Sequence, residues 1–199
     1  AIFSSDTGPQ VGALEFPADD TFTFYDYTIG GSYQSRLVTT ALYRDPAIWY
    51  HIVVAYDTTQ ATSSNRIKIY INGSQVTDFS TETYPSQDLD GYINYGNNSR
   101  LHGLGKNTGL GDYLDGYLAE VHFIEGTALD ASSFGETDSA TNQWKPIKYT
   151  GSHGTNGFYM NFSDSSSLGT DSSGSGNNYT PSNLAATDRV LDSPSNNFC

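Results

Sequence analysis

Apolar residues in this chain come in short blocks or alternate with polar ones, and Gly, Asn, Asp, Ser or Thr interrupts them every ten residues or so. No run is long enough for an amphipathic helix to bury a face, so the spacing predicts an all-β fold. Predicted strands are Val11–Phe16, Thr21–Thr28, Gln34–Thr39, Trp49–Tyr56, Arg66–Ile71, Ser74–Phe79, Gly91–Tyr95 and Leu114–Ile124. In Arg66–Ile71 the residues Ile67, Ile69 and Ile71 share one face while Arg66, Lys68 and Tyr70 share the other, which predicts one buried and one wet face. Trp49–Tyr56 is apolar on both faces and is expected at the centre of a covered sheet, with Trp49 buried. Asn72-Gly73 between two strand-like runs predicts a type I′ hairpin, because Asn and Gly adopt positive φ at low cost. The one helical turn expected lies around Ala128–Phe134, with Asp130 as its cap.

The 199 residues suit one domain with an appendage. Nine Lys and Arg against 22 Asp and Glu give a formal net charge of −13. A surface so acidic repels phosphate, so neither nucleic-acid binding nor attachment to an anionic membrane is expected. Only 16% of residues are charged and 14% are aromatic, so the chain has the large side chains a core needs. A lone cysteine, Cys199, leaves no internal disulfide framework and no cysteine-based zinc site. Nothing in the sequence is long and apolar enough to insert in a membrane. Composition changes after Phe162: from Ser163 to Cys199, 21 of 37 residues are Ser, Thr, Asn or Gly, too polar for a core of their own. The expected organisation is a β-sandwich over 1–162 and an extended arm or linker over 163–199. Leu168, Tyr179, Leu184, Val190, Leu191 and Phe198 are the arm's docking points.

Three groups of residues resemble a known family. Trp49-Tyr50-His51-Ile52-Val53-Val54-Ala55-Tyr56-Asp57, followed by Arg66-Ile67-Lys68-Ile69-Tyr70-Ile71-Asn72-Gly73, resembles laminin-G-like and pentraxin domains of the concanavalin A-like lectin/glucanase superfamily. Asp115-Gly116-Tyr117-Leu118-Ala119-Glu120-Val121-His122-Phe123-Ile124 is similar to that family's closing strand. The third group is Arg44-Asp45-Pro46, Ser133-Phe134-Gly135-Glu136, Trp144-Lys145-Pro146, Tyr149-Thr150-Gly151, Gly154-Thr155-Asn156-Gly157-Phe158-Tyr159, Asp171-Ser172-Ser173-Gly174-Ser175-Gly176-Asn177-Asn178 and Asp192-Ser193-Pro194. Their order resembles laminin-G-like virion proteins of tailed bacteriophages: tail fibres, spikes and appendages. The resemblance implies a jelly-roll sandwich of two antiparallel sheets in an extracellular particle, assembled in the host cytoplasm. It implies other virion proteins, further copies of this chain and a host-surface glycan as partners. Such domains begin with strands before a segment like Ile2-Phe3-Ser4-Ser5, so first strands are expected upstream and one sheet edge without its partner.

Chemistry-bearing motifs are sparse. The glucanase branch carries E-x-D-x-x-E, because a retaining glycosidase needs two carboxyls about 5–5.5 Å apart. The nearest match, Glu136-Thr137-Asp138-Ser139-Ala140-Thr141, ends on Thr, and no enzymatic activity is expected. His51, His102, His122 and His153 form no metal-binding spacing; His51 and His122 sit inside apolar strands, as hydrogen-bonded sheet histidines do. For calcium, which takes six to eight oxygens, the candidate ligands are Asp88 with Asp90 and Asp112 with Asp115; Asp19-Asp20 is a third pair of the right type. Calcium is the one cofactor these residues suggest. Tyr84, Tyr92, Tyr95 and Tyr113, in a loop-rich stretch, are candidates for stacking on sugar rings. The function implied is a non-enzymatic structural and adhesive module. A decoration or cementing protein without ligand and a polysaccharide-degrading enzyme are the alternatives.

Overall fold

The computed structural model describes residues 1–28, 30–93, 101–190 and 194. It is all-β: thirteen strands and three single 3-10 turns, with no α-helix among the described residues. Strands β1 (Phe3–Asp6), β2 (Gln10–Glu15), β3 (Thr23–Thr28), β4 (Tyr33–Thr39), β8 (Phe79–Thr83) and β9 (Leu101–Leu104) form a six-stranded antiparallel sheet in the order β8-β4-β3-β2-β1-β9. Strands β5 (Ile52–Tyr56), β6 (Ile67–Ile71) and β7 (Ser74–Gln75) form a second sheet. Two small antiparallel pairs complete the set: β10 (Val121–Phe123) with β13 (Phe158–Met160), and β11 (Gly135–Thr137) with β12 (Trp144–Pro146). The chain divides into two compact units. Unit 1 comprises Ala1–Ile48, Val54–Ile69 and Gln75–Tyr117; unit 2 comprises Trp49–Val53, Tyr70–Ser74 and Leu118–Cys199.

The large sheet of unit 1 is organised in rows across its strands. One row, Phe3–Leu14–Phe24–Leu37, is apolar, and Phe24 and Leu37 are fully buried. Each such side chain contributes about 1.5–3 kcal/mol by leaving water. The next row on the same face is Ser5–Gly12–Asp26–Ser35. Asp26 is completely buried, and its carboxylate accepts from the Ser35 hydroxyl at 3.3 Å, the Tyr56 hydroxyl at 3.2 Å and the Tyr92 backbone N–H at 3.2 Å. Gly12 stands opposite because a Cβ there would lie 2.8 Å from Asp26 Oδ1. Ser5 donates to the Tyr92 carbonyl, so the same row grips the loop twice. The Tyr56 ring also packs on Phe24, with centroids 5.8 Å apart. Burial together with the Asp26 carboxylate raises the Tyr56 pKa, which keeps its hydroxyl a donor. The opposite face carries Val11, Ala13, Tyr25 and Tyr27.

The hairpin forms as its sequence predicts, with φ of 48° at Asn72 and 81° at Gly73. Burial alternates along β6, with Ile67, Ile69 and Ile71 inside. Its return strand is only Ser74–Gln75. The chain then crosses to the large sheet, where Phe79 pairs with Thr39, so the expected strand Ser74–Phe79 is two pieces in two sheets. Trp49 corrects a second expectation. Regular pairing starts at Ile52, Trp49 precedes it in irregular chain and is half-buried, and every residue of β5 is half-buried. In unit 2 it is Trp144 that fills a tight space, its ring occupying the positions a Cβ on Gly73 or Gly135 would need and lying 5.8 Å from the His51 ring. Leu114–Ile124 also shrinks to Val121–Phe123, because Glu120 takes φ 51° and breaks the extended run. The Asp130 cap holds: its carboxylate accepts from the Ser132 N–H at 3.0 Å and opens the 3-10 turn Ala131–Ser133.

Residues 163–190 belong to unit 2 with 118–162 and run in repeated turns. Leu168 is buried and the Tyr179 ring meets Phe158 edge-on at 5.1 Å, whereas Leu184 and Val190 are exposed. Leu191 and Phe198 lie outside the described residues. Asp171 fastens this segment: its two oxygens accept from the N–H groups of Tyr159, Ser173 and Asn177 at 2.8–2.9 Å.

Asp26→Ala would leave two hydroxyls and one loop N–H buried without an acceptor. The expected loss is roughly 3–5 kcal/mol of unfolding free energy in urea titration, against under about 1 kcal/mol for a surface carboxylate such as Asp45→Ala.

Candidate functional site

The hairpin that follows β9 is braced from within and from beneath. Lys106 bridges antiparallel to Tyr113, the Leu114 N–H reaches the Gly105 carbonyl at 2.9 Å, and the Asn107 N–H reaches the Asp112 carbonyl at 2.7 Å. Gly105 and Gly111 supply the positive φ values of 71° and 81° that close it. Asn107 is completely buried beneath the turn. Its amide donates to the Tyr25 hydroxyl at 2.9 Å, and its Oδ1 accepts from the N–H groups of Gly109 and Leu110 at 3.1 Å each. Burial and the nearby Glu15 carboxylate push the Tyr25 phenol up to about 12, so it stays neutral as Asn107's partner. From β1, Ser4 donates to the Lys106 carbonyl at 2.8 Å and accepts from the Thr108 N–H at 3.0 Å. The hairpin is therefore stitched to the sheet by side chains rather than by strand pairing alone.

It and the chain on either side present large apolar side chains beside the exposed carboxylates of Asp112 and Asp115. Leu101, Leu110, Tyr113 and Tyr117 are each more than three-fifths exposed, Tyr113 at 69%. The Lys106 ammonium lies 5.3 Å from the Tyr113 ring centroid, which fixes the side of the ring it covers.

The structure separates the four candidate tyrosines. Tyr113 offers an open ring. Tyr92 is 5% exposed, and its hydroxyl is held by Gln10 at 3.2 Å, Thr28 at 2.9 Å and Gln34 at 2.6 Å, so its ring has no face for a sugar. Tyr84 is half-buried and donates to Glu82 at 2.7 Å. Tyr95 lies outside the described residues. Asp88, Asp90, Asp112 and Asp115 are all exposed. Among the described residues no three His, Cys, Asp or Glu side chains are placed together to hold a metal ion.

Glu136 and Asp138 share one cation. Lys145, opposite Glu136 in the β11–β12 register, reaches Glu136 at 3.3 Å and Asp138 at 3.0 Å. The Lys145 hydrogen bond, with those from the Thr141 and Ala140 N–H groups, lowers the Asp138 carboxyl to about 2. Of the histidines, His51 stands just before β5 with its Nδ1 buried and unpartnered, and burial lowers its pKa. His122 and His153, 31 residues apart, meet at 3.0 Å. Sequence spacing gave no sign of that meeting, nor of an exposed Leu110 on a hairpin held from beneath by buried Asn107; the one local hint was Asn107-Thr108-Gly109, a turn-forming cluster.

Asn107→Ala is expected to cost about 2–3 kcal/mol, since it strands two loop N–H groups. It should also raise the amide exchange of Gly109 and Leu110 at least tenfold while leaving β3 amides protected.

The comparisons agree with this architecture. A laminin-G-type family model, described as the concanavalin A-like lectin/glucanases superfamily, matches residues 1–133. No curated protein and no solved structure matches the chain. With the match covering two thirds of its length, the chain belongs to the concanavalin A-like lectin/glucanases superfamily.

Proposed function

We propose that this protein is a non-enzymatic adhesive module of a tailed-bacteriophage appendage, a tail fibre or spike, which binds a host-surface glycan through the hairpin around Tyr113. The carrying observation is the exposed Tyr113 ring on a loop held from beneath by buried Asn107, in a chain of a superfamily that includes lectins. An aromatic ring stacks on the apolar face of a pyranose, and a braced loop loses little entropy when it does so. The appendage assignment is supported by the ordered motifs from Arg44-Asp45-Pro46 to Asp192-Ser193-Pro194. Further copies of this chain and other virion proteins are the partners this reading implies. The non-enzymatic assignment is supported by Thr141 in place of a second catalytic carboxylate.

The test is binding to a panel of bacterial surface polysaccharides. Tyr113→Ala should weaken the best ligand at least tenfold, about 1.4 kcal/mol, with the thermal midpoint unchanged. Equal binding by Tyr113→Ala would remove the hairpin from the reading, and no binding to any glycan would favour the cementing role. Affinity lost with EDTA and restored by calcium would make calcium a component of the site. Hydrolysis of a bound polysaccharide, abolished by Glu136→Gln, would replace the adhesive reading with an enzymatic one.

A further inference from the structure

Unit 2 contains a pair of histidines in an unusual setting. The β10–β13 register places His122 opposite Tyr159, and the two rings stack with centroids 4.2 Å apart and planes within 6°. His122 Nδ1 lies 3.0 Å from His153 Nε2, with the two imidazole planes within 16°. His153 comes from the loop between β12 and β13, so this bond joins the loop to β10. Tyr149, from the same loop, stands edge-on to both imidazoles, at 5.9 and 5.2 Å, and Phe134 lies 5.6 Å from His122. The Tyr159 hydroxyl donates to Glu120, which fixes the ring that covers the pair. We propose that the His122–His153 pair is an acid-sensitive latch that holds the loop carrying His153 against strand β10.

The logic is proton counting. When both rings are neutral, one proton lies between the facing nitrogens and the bond is made. A first added proton goes to an outer nitrogen and leaves that bond intact, now assisted by charge. A second would point two N–H groups and two positive charges at each other across 3.0 Å, and the bond must break. The surroundings resist charging His122: burial, then His153 and His51, bring it down to about 4. Burial also lowers His153, offset in part by Asp171. Asp171 is itself engaged. Burial pushes its carboxyl up, but the N–H groups of Tyr159, Ser173 and Asn177 and the Ser173 hydroxyl bring it below the usual range. The carboxylates near the pair are thus occupied: Glu120 by Tyr159, Asp171 by these donors, and Glu125 by Asn156. No carboxylate hydrogen bond to either imidazole is made among these groups. Folded pKa values below the unfolded 6.5 mean that the latch contributes fully above about pH 6.5 and is lost as pH falls toward about 4.

The whole chain is tested by amide exchange at pH 7 and pH 4.5, each rate normalised to the unstructured chain at that pH. In the wild type, protection across residues 149–157 should fall at least tenfold at the lower pH, while β3 and β4 stay protected. In His122→Phe/His153→Gln, which keeps a ring under Tyr159 and removes both titrating groups, the fall should be under about twofold. An equal fall in both proteins, or none in the wild type, would overturn the latch. Imidazole NMR titration of the wild type is an independent readout should the double variant not fold. His122 and His153 titrating as a coupled pair below the ordinary imidazole range, in step with Tyr149 and Tyr159 ring shifts, support the latch. Four independent titrations near 6.5 would overturn it.

Discussion

Asp26 is the constraint on which unit 1 depends. A carboxylate buried without partners would be untenable in the middle of a sheet. Here its neighbours are arranged around it: Gly12 opposite makes room, Ser35 on the other side donates, Tyr56 donates from β5, and the Tyr92 N–H donates from the loop after β8. One side chain thereby fixes where β5 lies on the large sheet and how the chain returns from β8. The apolar row Phe3–Leu14–Phe24–Leu37 gives the sheet its burial energy. Hydrogen bonds at Asp26 add direction that apolar burial lacks.

The same device recurs. Asn107 holds the Gly109 and Leu110 N–H groups of the hairpin, and Asp171 holds those of Tyr159, Ser173 and Asn177. In each case a buried side-chain oxygen satisfies backbone N–H groups, most of them in loops, that the strand ladders leave without a partner. A chain rich in Asn, Asp, Ser and Thr can therefore have long irregular segments that are nonetheless braced. That is what a rim needs if it is to present Tyr113 in one orientation. The C-terminal segment follows the same rule, for its attachment runs through Asp171, Leu168 and Tyr179 rather than through a core of its own.

Local chemistry was readable in the sequence, and distant chemistry was not. Asn72-Gly73, the alternating isoleucines of β6 and the Asp130 cap each depend on two to five adjacent residues, and each forms as their pattern dictates. Strand β1 escapes such reading because its Phe3-Ser4-Ser5-Asp6 sequence is polar yet wholly buried, with Ser4 and Ser5 bonded to Lys106 and Tyr92 a hundred residues or nearly so along the chain. Trp49 misled for the opposite reason: an aromatic among apolar neighbours satisfies the strand pattern, but the backbone begins to pair only at Ile52. Of the candidate sugar-stacking residues, Tyr92 and Tyr113 have similar neighbours in sequence. Only the fold separates a buried hydroxyl with three partners from an open ring.

If buried side chains brace the loops of unit 1, loop amides must be nearly as protected as strand amides. Native-state hydrogen exchange at neutral pH measures this directly at Tyr92, Gly109 and Leu110, whose N–H groups donate to the Asp26 and Asn107 side chains. The account predicts exchange within about tenfold of Phe24 and Leu37 in the central strands. Exchange at those three amides as fast as in an unstructured chain, with Phe24 and Leu37 still protected, would contradict it.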